Sequence, residues 1–457
     1  MTDNKEYIQN LDATHHLHPF MPHPDLARKG ARVITRAKGC YIYDSEGHEI
    51  LDGMAGLWTT QIGTGREDMV DTAANAMRDL SYYNVFFYTT HPAAAKLAAK
   101  IAEKTPSDLN RVHFASSGSE AVDSAYKLIK YYWNLKGQPN RKQFIARENA
   151  YHGSTTVAAS LCGLSGMHEK FDLPIDGIHH VSPAPHYYNN GMGMSEEAFT
   201  DHCVKAIEDK FLEVGPENVA AFIAEPIQGA GGLIIPPTGY WTKVEALCRK
   251  YGILLWCDEV ITGWGRTGKW FGSDYYGVKP DIMTMAKGLT SGYQPLSAVV
   301  LGGDIADTIA SEEGEMVHGF TYAAHPVSTA VALKNIEILE TEGLIDTPEQ
   351  DEKINYFHDQ LMALSDHPLV GEVRSLGLLG AIELVKDKET RARYSDEINA
   401  GFTCREHSFD SGLVMRSVGN TMILCPPLVI TKAQIDELVT KARKALDLTY
   451  DDVKGKE

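Results

Sequence analysis

The stretch PDIMTMAKGLTSG, residues 280–292, ends a short apolar run in a lysine. Ile282 to Ala286 have the composition of a buried strand, and Lys287 and Gly288 follow directly. Since an ammonium group is costly to bury, two interpretations are open. Either the flexible stem of Lys287 carries the charge into water, or the amine is held partly dry and acts as a nucleophile. The choice depends on the chemistry that the rest of the chain places at the same strand end.

Short β-rich runs alternate with helical patterns from about residue 65 to 320. The runs expected to form strands are residues 111–116, 143–147, 219–225, 252–259, 281–286 and 296–302. This alternation predicts an α/β fold whose largely parallel sheet is covered by helices on both faces. Ligands of such sheets bind beyond the carboxyl ends of the strands, which is where Lys287 is expected to lie.

The pattern of predicted helices and strands changes near residue 325. A long helical pattern is followed by two strand-like segments and by a final helix, where Thr431 and Gln434 have the spacing of a capping box. Strands followed by a helix predict a smaller α+β domain. The expected division is an N-terminal arm with strands that join the small domain in residues 1–60, a large domain in residues 61–325, and the small domain in residues 326–457.

The composition limits the classes of partner. The chain has 457 residues, with 43 basic and 61 acidic side chains and a net charge of −18, which argues against nucleic acid and anionic membranes. No apolar run approaches the roughly 18 residues of a membrane span, and MTDNKEYIQN, residues 1–10, has no signal-peptide core. Seven dispersed cysteines fit a reducing compartment, so the predicted location is the cytoplasm.

Asp258 and Glu259 end the apolar run GILLWC. One interpretation is a pair of carboxylates at a solvent-facing strand end, and the other is an anionic partner for a buried cation. Asp258 lies one strand–helix–strand step before Lys287 along the chain. The two side chains could therefore project from neighbouring strand ends into one crevice.

Two further loops follow predicted strands. SSGSEAVDSAYKLIKYYW turns through Ser117, Gly118 and Ser119 into an amphipathic helix, whose free N–H groups and positive dipole end suit a phosphate. An ordinary serine N-cap is the alternative. AYHGST places Tyr151 and His152 after another strand. Tyr151 suits stacking on a flat cofactor or lining a core, while a lone histidine such as His152 is more often structural than catalytic.

Two other motifs are rejected as ligand sites. GWGRTGK, residues 263–269, has the spacing of a nucleotide-binding P-loop, but Trp270 stands where the magnesium-binding hydroxyl belongs. HHLHPFMPH, residues 15–23, carries four histidines, but Pro19 and Pro22 favour an extended arm and no second ligand cluster follows. No metal site is predicted.

The glycine–serine turn, the aromatic ring, the aspartate and the strand-end lysine occur in the order Gly118, Tyr151, Asp258 and Lys287. This combination resembles the fold type I pyridoxal-phosphate enzymes, and specifically the class III aminotransferases. The resemblance runs from about residue 15 to 446, and its most specific stretches are LDGMAGLW, SGSEA, YHGST, AEPIQGAGG, DEV, GRTG, AKGLTSGY and HGFTYAAHP. Within the class, GLVMRSVGNTMILCPPLVI resembles the amine–pyruvate group, the ω-transaminases. The implied fold is a large domain with a mainly parallel seven-stranded sheet and a smaller α+β domain.

The resemblance implies pyridoxal 5′-phosphate as the cofactor and gives four residues a role in its chemistry. Lys287 would hold the cofactor covalently and then move the substrate proton. Asp258 would keep the pyridine nitrogen protonated, so that the ring accepts electrons. Tyr151 and Val260 would contact the two faces of the ring.

Further residues would bind the same cofactor. Gly118 and Ser119 would hold its phosphate, Thr321 would add a phosphate contact from the other subunit of a dimer, and Gln228 is a weaker candidate for the ring hydroxyl. The full implied set is Ser117, Gly118, Ser119, Tyr151, His152, Glu225, Gln228, Asp258, Val260, Lys287, Phe320 and Thr321.

The resemblance also implies a pocket that accepts two substrates in turn. Its residues would be Phe20, Trp58, Phe86, Tyr151, Ala230 and Arg416. Arg416 would grip the carboxylate of a keto acid and swing aside for an apolar amine, whereas without the resemblance it reads as a surface residue of a hairpin. The implied reaction moves an amino group from a primary amine or ω-amino acid to a keto acid, expected to be pyruvate, by ping-pong chemistry. The implied assembly is a homodimer with shared active sites, with a tetramer as the alternative.

The chain departs from the family pattern at Val122, Thr262, Trp264 and the pair Ala323-Ala324. These departures leave the pocket dimensions and the preferred amine open among putrescine-like diamines, β-alanine-like or taurine-like ω-amino acids, and aryl-alkyl amines. Two other functions also stay open. One is another reaction of this fold, by an aminomutase or a decarboxylase. The other is a non-enzymatic cofactor-binding regulator, which would usually carry a DNA-binding module, and no basic module is evident.

Overall fold

A computed structural model describes residues 5–106 and 108–456 of the chain. The strands are β1 Ile34–Lys38, β2 Tyr41–Asp44, β3 Glu49–Leu51, β4 Arg111–Ala115, β5 Gln143–Arg147, β6 Ile178–Val181, β7 Val219–Ala224, β8 Leu254–Asp258, β9 Ile282–Met285, β10 Ser297–Leu301, β11 Val370–Leu376, β12 Leu379–Leu384, β13 Arg416–Val418 and β14 Thr421–Leu424.

The helices are α1 Lys5–His15, α2 His23–Lys29, α3 Ala55–Trp58, α4 Glu67–Asp79, α5 Pro92–Lys104, α6 Gly118–Leu135, α7 Thr156–Leu161, α8 Tyr187–Asn190, α9 Glu196–Val214, α10 Tyr240–Tyr251, α11 Gly272–Tyr276, α12 Gly303–Ala310, α13 Pro326–Thr341, α14 Pro348–Met362, α15 Ala400–Asp410 and α16 Lys432–Val453. Short 3₁₀ turns lie at Ser165–Met167, Lys287–Leu289 and Ala363–Asp366.

The central sheet has seven strands among the described residues, in the order β4-β10-β9-β8-β7-β5-β6. Strands β5 to β9 pair in parallel, whereas β10 runs antiparallel to both β9 and β4. From Ala221 to Ala224, successive residues of β7 belong alternately to two apolar clusters, one shared with α6 and the other with α10. Helices therefore cover both faces, and the predicted α/β fold with a mainly parallel seven-stranded sheet is confirmed.

Each of the six predicted runs contains one of these strands, and β6 was not predicted. Its sequence IHHV places two histidines between two apolar residues, so it gives neither an apolar run nor a clean alternation. The strand forms because it pairs with β5 along its whole length. Its place in the sheet is therefore set by tertiary pairing.

Two smaller sheets lie outside the central one. Strands β11, β12, β14 and β13 form an antiparallel sheet, and β1 to β3 form another. The N-terminal strands join the C-terminal segment through backbone bonds, because Leu51 donates to Gly412 and accepts from Val414, both at 2.9 Å. The boundaries expected at residues 60 and 325 stay a prediction.

Much of the N-terminal arm that the sequence indicated is helical. Helices α1 and α2 occupy most of it, and residues 16–22 connect them without regular structure. Pro24 lies in the first turn of α2, where a proline is tolerated because that N–H has no intrahelical partner. Pro19 and Pro22 thus separate two helices here.

The last helix begins as predicted. Thr431 Oγ1 accepts from the backbone N–H of Gln434 at 3.2 Å, and Gln434 Oε1 accepts from that of Thr431 at 3.0 Å, which is a capping box. Across the described ranges, no helix is both long and apolar enough to cross a bilayer.

Candidate active site

Asp258 and Lys287 lie at the same edge of the central sheet. Asp258 is the last residue of β8 and pairs in parallel register with Thr284 of β9. Only Ala286 separates Lys287 from the end of β9. Lys287 has φ +43°, a left-handed conformation that costs a non-glycine residue about 1–2 kcal/mol. The backbone is therefore held in a sparsely populated conformation at the predicted catalytic residue.

The amine of Lys287 is partly desolvated. Burial lowers its pKa to about 8, and the nearby carboxylates of Asp258 and Glu225 oppose that shift. A large fraction of the amine is thus neutral near pH 8, whereas an exposed lysine has a pKa of about 10.4. Of the two interpretations of the strand end, this geometry favours the nucleophilic amine over a stem that reaches into water.

Asp258 is 3% exposed and makes two contacts. Oδ2 lies 2.6 Å from Nδ1 of His152, and Oδ1 accepts from the backbone N–H of Val260 at 3.1 Å. His152 itself is held by Cys162, whose Sγ accepts from the histidine backbone at 3.1 Å. The lone histidine of the sequence is thus a buried partner of the aspartate.

Two neighbouring glutamates have different roles. Glu225 is buried, and its oxygens accept from the backbone of Tyr151 and Gly229, each at 3.0 Å. Burial raises the pKa of Glu225. Glu259 is directed away from the crevice into the core, where it accepts from Thr262, Gly272 and Ser273. Of the pair Asp258-Glu259, the aspartate is therefore the one placed near Lys287.

The glycine–serine turn starts α6 close to the same crevice. Ser117 caps the helix by accepting from Glu120 N–H at 3.2 Å. Gly118 faces Val260, since a Cβ on it would lie 3.3 Å from a Val260 methyl group. Ser119 Oγ accepts from the backbone of Ser154 at 2.9 Å, which ties this loop to the YHGST loop. The loops after four different strands therefore converge.

The residues present fit pyridoxal 5′-phosphate. Gln228 Nε2 donates to the Glu148 carbonyl at 2.8 Å, while its buried Oε1 has no protein partner among the described residues, which suits a donated ring hydroxyl. Nε2 of His152 is likewise buried without a partner there. The first N–H groups of α6 supply donors for a phosphate, and Lys287 supplies a desolvated amine.

The turn that carries Trp58 is strained, and it lies near the segment after Lys287, because a Cβ on Gly292 would lie 3.1 Å from Thr59 Oγ1. Ala55 and Trp58 both have positive φ, at +47° and +67°. Asp52 holds this turn, because its carboxylate accepts from the backbone N–H groups of Met54 at 3.0 Å and Gly56 at 2.5 Å. The motif LDGMAGLW marked this segment, but the sequence did not show that its aspartate supports the turn.

Arg416 begins β13 and is half-buried. Burial lowers the pKa of its guanidinium, and the phenol of Tyr151 opposes that effect. The guanidinium is close enough to Lys287 to lower the pKa of its amine. Arg416 is therefore placed beside the crevice, within the hairpin of β13 and β14, and its role in binding a substrate stays a prediction.

The other predicted pocket residues differ in how deeply they are buried. Ala230 is buried and Tyr151 is half-buried. Phe20 lies in the segment between α1 and α2 and is 76% exposed. The structure does not enclose Phe20 within a single chain.

Phe86, Phe320 and Thr321 lie together on another surface. Phe86 packs on Gly319, where a Cβ would lie 2.9 Å from its ring, and Tyr82 donates to the carbonyl of Thr321 at 2.8 Å. Phe86 and Phe320 are half-buried, and Thr321 is exposed. The two loops that carry these residues therefore contact each other at the surface of the protein.

The departures from the family pattern are buried. Val122 and Trp264 are fully buried, and Thr262 donates to Glu259 at 2.5 Å. Ala324 accepts from His91 at 2.7 Å through its carbonyl, a bond that does not depend on its side chain.

The two rejected motifs have other roles. Within the P-loop-like segment, Arg266 is fully buried and donates to the Pro426 carbonyl at 2.6 Å, so the segment packs inside the protein. In the histidine-rich segment, His16 and His18 lie 3.1 Å and 2.8 Å from the carboxylate of Asp12 in α1. These three could hold a metal ion, and the absence of a metal site stays a prediction.

Comparison with known proteins finds a family and relatives that match nearly the whole chain. The family model described as Aminotransferase class-III matches residues 26–446. A putrescine–pyruvate aminotransferase of Pseudomonas aeruginosa is 52% identical over 441 residues, which are 96% of each chain. A diaminobutyrate–2-oxoglutarate transaminase of Halomonas elongata is 37% identical over 465 residues, 99% of this chain and 98% of the relative.

Solved structures agree as well. An (S)-enantioselective omega-transaminase from Thermomicrobium roseum superposes with a TM-score of 0.95 at 40% identity, covering 98% of this chain and 99% of that one. The omega-transaminase of Pseudomonas jessenii in complex with PMP superposes with a TM-score of 0.96 at 39% identity, covering 98% and 100%.

Proposed function

The chain belongs to the class-III aminotransferases and uses pyridoxal 5′-phosphate, and from that premise we propose that it transfers the amino group of a terminal primary amine to pyruvate. The observation that carries the proposal is the desolvated Lys287 beside Asp258 at one strand edge. The 52% identity to a putrescine–pyruvate aminotransferase supports pyruvate as acceptor and a diamine as the first donor to test.

When bound, the cofactor supplies an aldehyde that condenses with amines and a ring that accepts electron density. Lys287 would hold the cofactor covalently through its neutral amine, for which its pKa of about 8 is suited. Once freed by the substrate, the same amine would take the proton from the substrate carbon and return it on the cofactor side. A group with a pKa near the working pH is suited to both transfers.

Asp258 would hold a proton on the pyridine nitrogen. His152 fixes one carboxylate oxygen at 2.6 Å and the Val260 backbone fixes the other at 3.1 Å. A buried carboxylate with both oxygens fixed presents its charge in one direction without reorganisation. Tyr151 and Val260 would then contact the two faces of the ring.

The turn from Ser117 to Ser119 would bind the phosphate through the N–H groups that start α6. Thr321 of a second copy would complete that phosphate site, and Phe86 and Phe20 would reach the pocket in the same way. Exposed aromatic side chains near Thr321, including Phe87 and Tyr88, support an interface there. We therefore propose a homodimer, with a tetramer as the alternative, located in the cytoplasm.

Arg416 would serve one half of the reaction. Its planar guanidinium is suited to a bidentate grip on the carboxylate of a keto acid, and its long stem lets the charge move away when a donor without a carboxylate binds. Its half-buried position at the start of β13 is compatible with both arrangements.

Absorbance of the bound cofactor tests the function. Putrescine alone should shift the cofactor spectrum, and pyruvate should restore it with formation of alanine. A shift that pyruvate and other keto acids do not reverse would contradict transamination, and would favour an aminomutase or decarboxylase that keeps Lys287 and Asp258. β-Alanine and an aryl-alkyl amine are the matched alternative donors.

Sedimentation with a parallel assay tests the assembly. The shared-site arrangement predicts that activity falls as the dimer dissociates on dilution. A fully active monomer would contradict it.

A further inference from the structure

The turn after Lys287 is bonded to a single side chain from a distant helix. Asn335 of α13 is fully buried, and its Nδ2 donates to the carbonyls of Gly288 at 2.8 Å and Leu289 at 3.0 Å. Its Oδ1 accepts from the hydroxyl of Ser291 at 2.6 Å. Both polar atoms of this amide are therefore bonded to the five residues that begin with Lys287.

The same turn is strained and closely packed on another side. Lys287 and Ser291 have φ of +43° and +49°, a conformation that persists in residues other than glycine only where the surroundings impose it. Gly288 is closely packed and has no space for a side chain, since a Cβ on it would lie 1.9 Å from Nε2 of the buried Gln61. The backbone N–H of Ile62 lies 3.4 Å from the Ser291 hydroxyl. Asn335 thus supplies three side-chain hydrogen bonds to the turn from a distant helix.

We propose that Asn335 is a positioning residue for Lys287. By donating to the carbonyls of Gly288 and Leu289, the Asn335 amide fixes the left-handed backbone of Lys287. It thereby fixes the direction in which the lysine side chain leaves the end of the strand. This inference rests on the role proposed above for Lys287. Without the two bonds, the turn can relax toward an ordinary conformation, and the amine loses its fixed distance from Asp258. A misplacement of about 1 Å can cost about 100-fold in rate.

Two variants and one control separate this role from simple stabilisation. Asn335→Leu removes all three bonds at similar volume. Asn335→Asp keeps the shape and the acceptor for Ser291 but removes both donated bonds. Thr329→Val is the control, because Thr329 is equally buried on the same helix and, within the described part of the chain, its hydroxyl bonds only to the carbonyls of His325 and Pro326.

The first readout is the affinity for pyridoxal 5′-phosphate, measured with and without Lys287. We expect both Asn335 variants to weaken that affinity about tenfold when Lys287 is present, and to have no effect in a Lys287→Ala background, where no covalent link forms. Equal weakening in both backgrounds would show a merely structural role and overturn the proposal. Thermal unfolding of the cofactor-free proteins reports whether each variant folds, and Asn335→Asp gives the answer should Asn335→Leu not fold.

The second readout is single-turnover kinetics with putrescine. A misdirected amine should lower the limiting rate about 10- to 100-fold with little change in the amine concentration at half-saturation, while Thr329→Val keeps both. Asn335 variants that behave like Thr329→Val in both readouts would overturn the role of Asn335 and leave the proposed function standing. If Lys287→Ala itself leaves cofactor affinity and spectrum unchanged, the proposed function fails instead, so the two failures are distinguishable.

Discussion

The cofactor half and the substrate half of the candidate site are built differently. The cofactor half, defined by Lys287, Asp258, His152 and the turn at Gly118, comes from loops at neighbouring strand ends of one sheet. The substrate half, defined by Phe20, Trp58, Phe86 and Arg416, comes from both ends of the chain and from surface loops.

The difference extends to how firmly each half is held. Asp258 and His152 are almost fully buried and bonded to each other at 2.6 Å, whereas Phe20 is 76% exposed. One chain therefore preorganises the cofactor half, whereas it leaves at least one side chain of the proposed substrate half exposed. Variants of the cofactor half should abolish reaction with every substrate, and variants of the substrate half should discriminate between substrates.

Lys287→Ala should have the largest effect. Turnover should fall by several orders of magnitude with every amine and keto acid, because both the covalent attachment and the proton transfer are lost. Cofactor should still bind through its phosphate, which equilibrium dialysis can measure. Near-normal turnover in this variant would remove the basis for the cofactor half.

Asp258→Asn should lower the chemical step by roughly 100-fold or more, because a neutral amide cannot hold the pyridine proton by charge. Cofactor affinity should fall much less. Stopped-flow absorbance gives the rate, and Glu259→Gln is a matched change at a carboxylate directed into the core. A variant with a normal kcat would place the electron-accepting role elsewhere.

Arg416→Ala tests the substrate half. The half-reaction with pyruvate should lose roughly 10- to 1000-fold in kcat/KM, since a charge-assisted bidentate contact is removed. The half-reaction with an aryl-alkyl amine should be nearly unchanged, because that donor has no carboxylate. Both can be followed separately by cofactor absorbance. Equal losses in the two half-reactions would make Arg416 a structural residue and would contradict the distinction between the cofactor half and the substrate half.

The pH dependence of the lysine gives the smallest and most local effect. Burial disfavours the ammonium form of Lys287. The rate at which Lys287 of the cofactor-free enzyme reacts covalently with added pyridoxal 5′-phosphate should therefore rise as the pH passes through about 8. For an exposed lysine the rise would come near 10.4. Because the Asp258 carboxylate raises the pKa of Lys287, Asp258→Asn should move the midpoint to lower pH. A midpoint near 10 in the wild-type protein would contradict a desolvated amine.

Much of the cofactor half could be predicted because its signals are local. An apolar run that ends in Lys287 and another that ends in Asp258 indicate two strand ends, and parallel pairing brings them to one edge. The capping box of α16 is local in the same way.

Other features depend on contacts between distant residues. The pairing of His152 with Asp258 and the bonds of Asn335 to the Lys287 turn join segments that no sequence period relates. Strand β6 forms by pairing although its composition is poor. Helix α1 was missed because it buries none of its residues, and α2 because its seven residues begin with a histidine and a proline.

The most direct test of the central claim is to reduce the cofactor-loaded enzyme with borohydride and map the modified peptide. We expect one labelled site, Lys287, and no label on that peptide in Lys287→Ala. A cofactor label on any other lysine, with Lys287 unmodified, would contradict it.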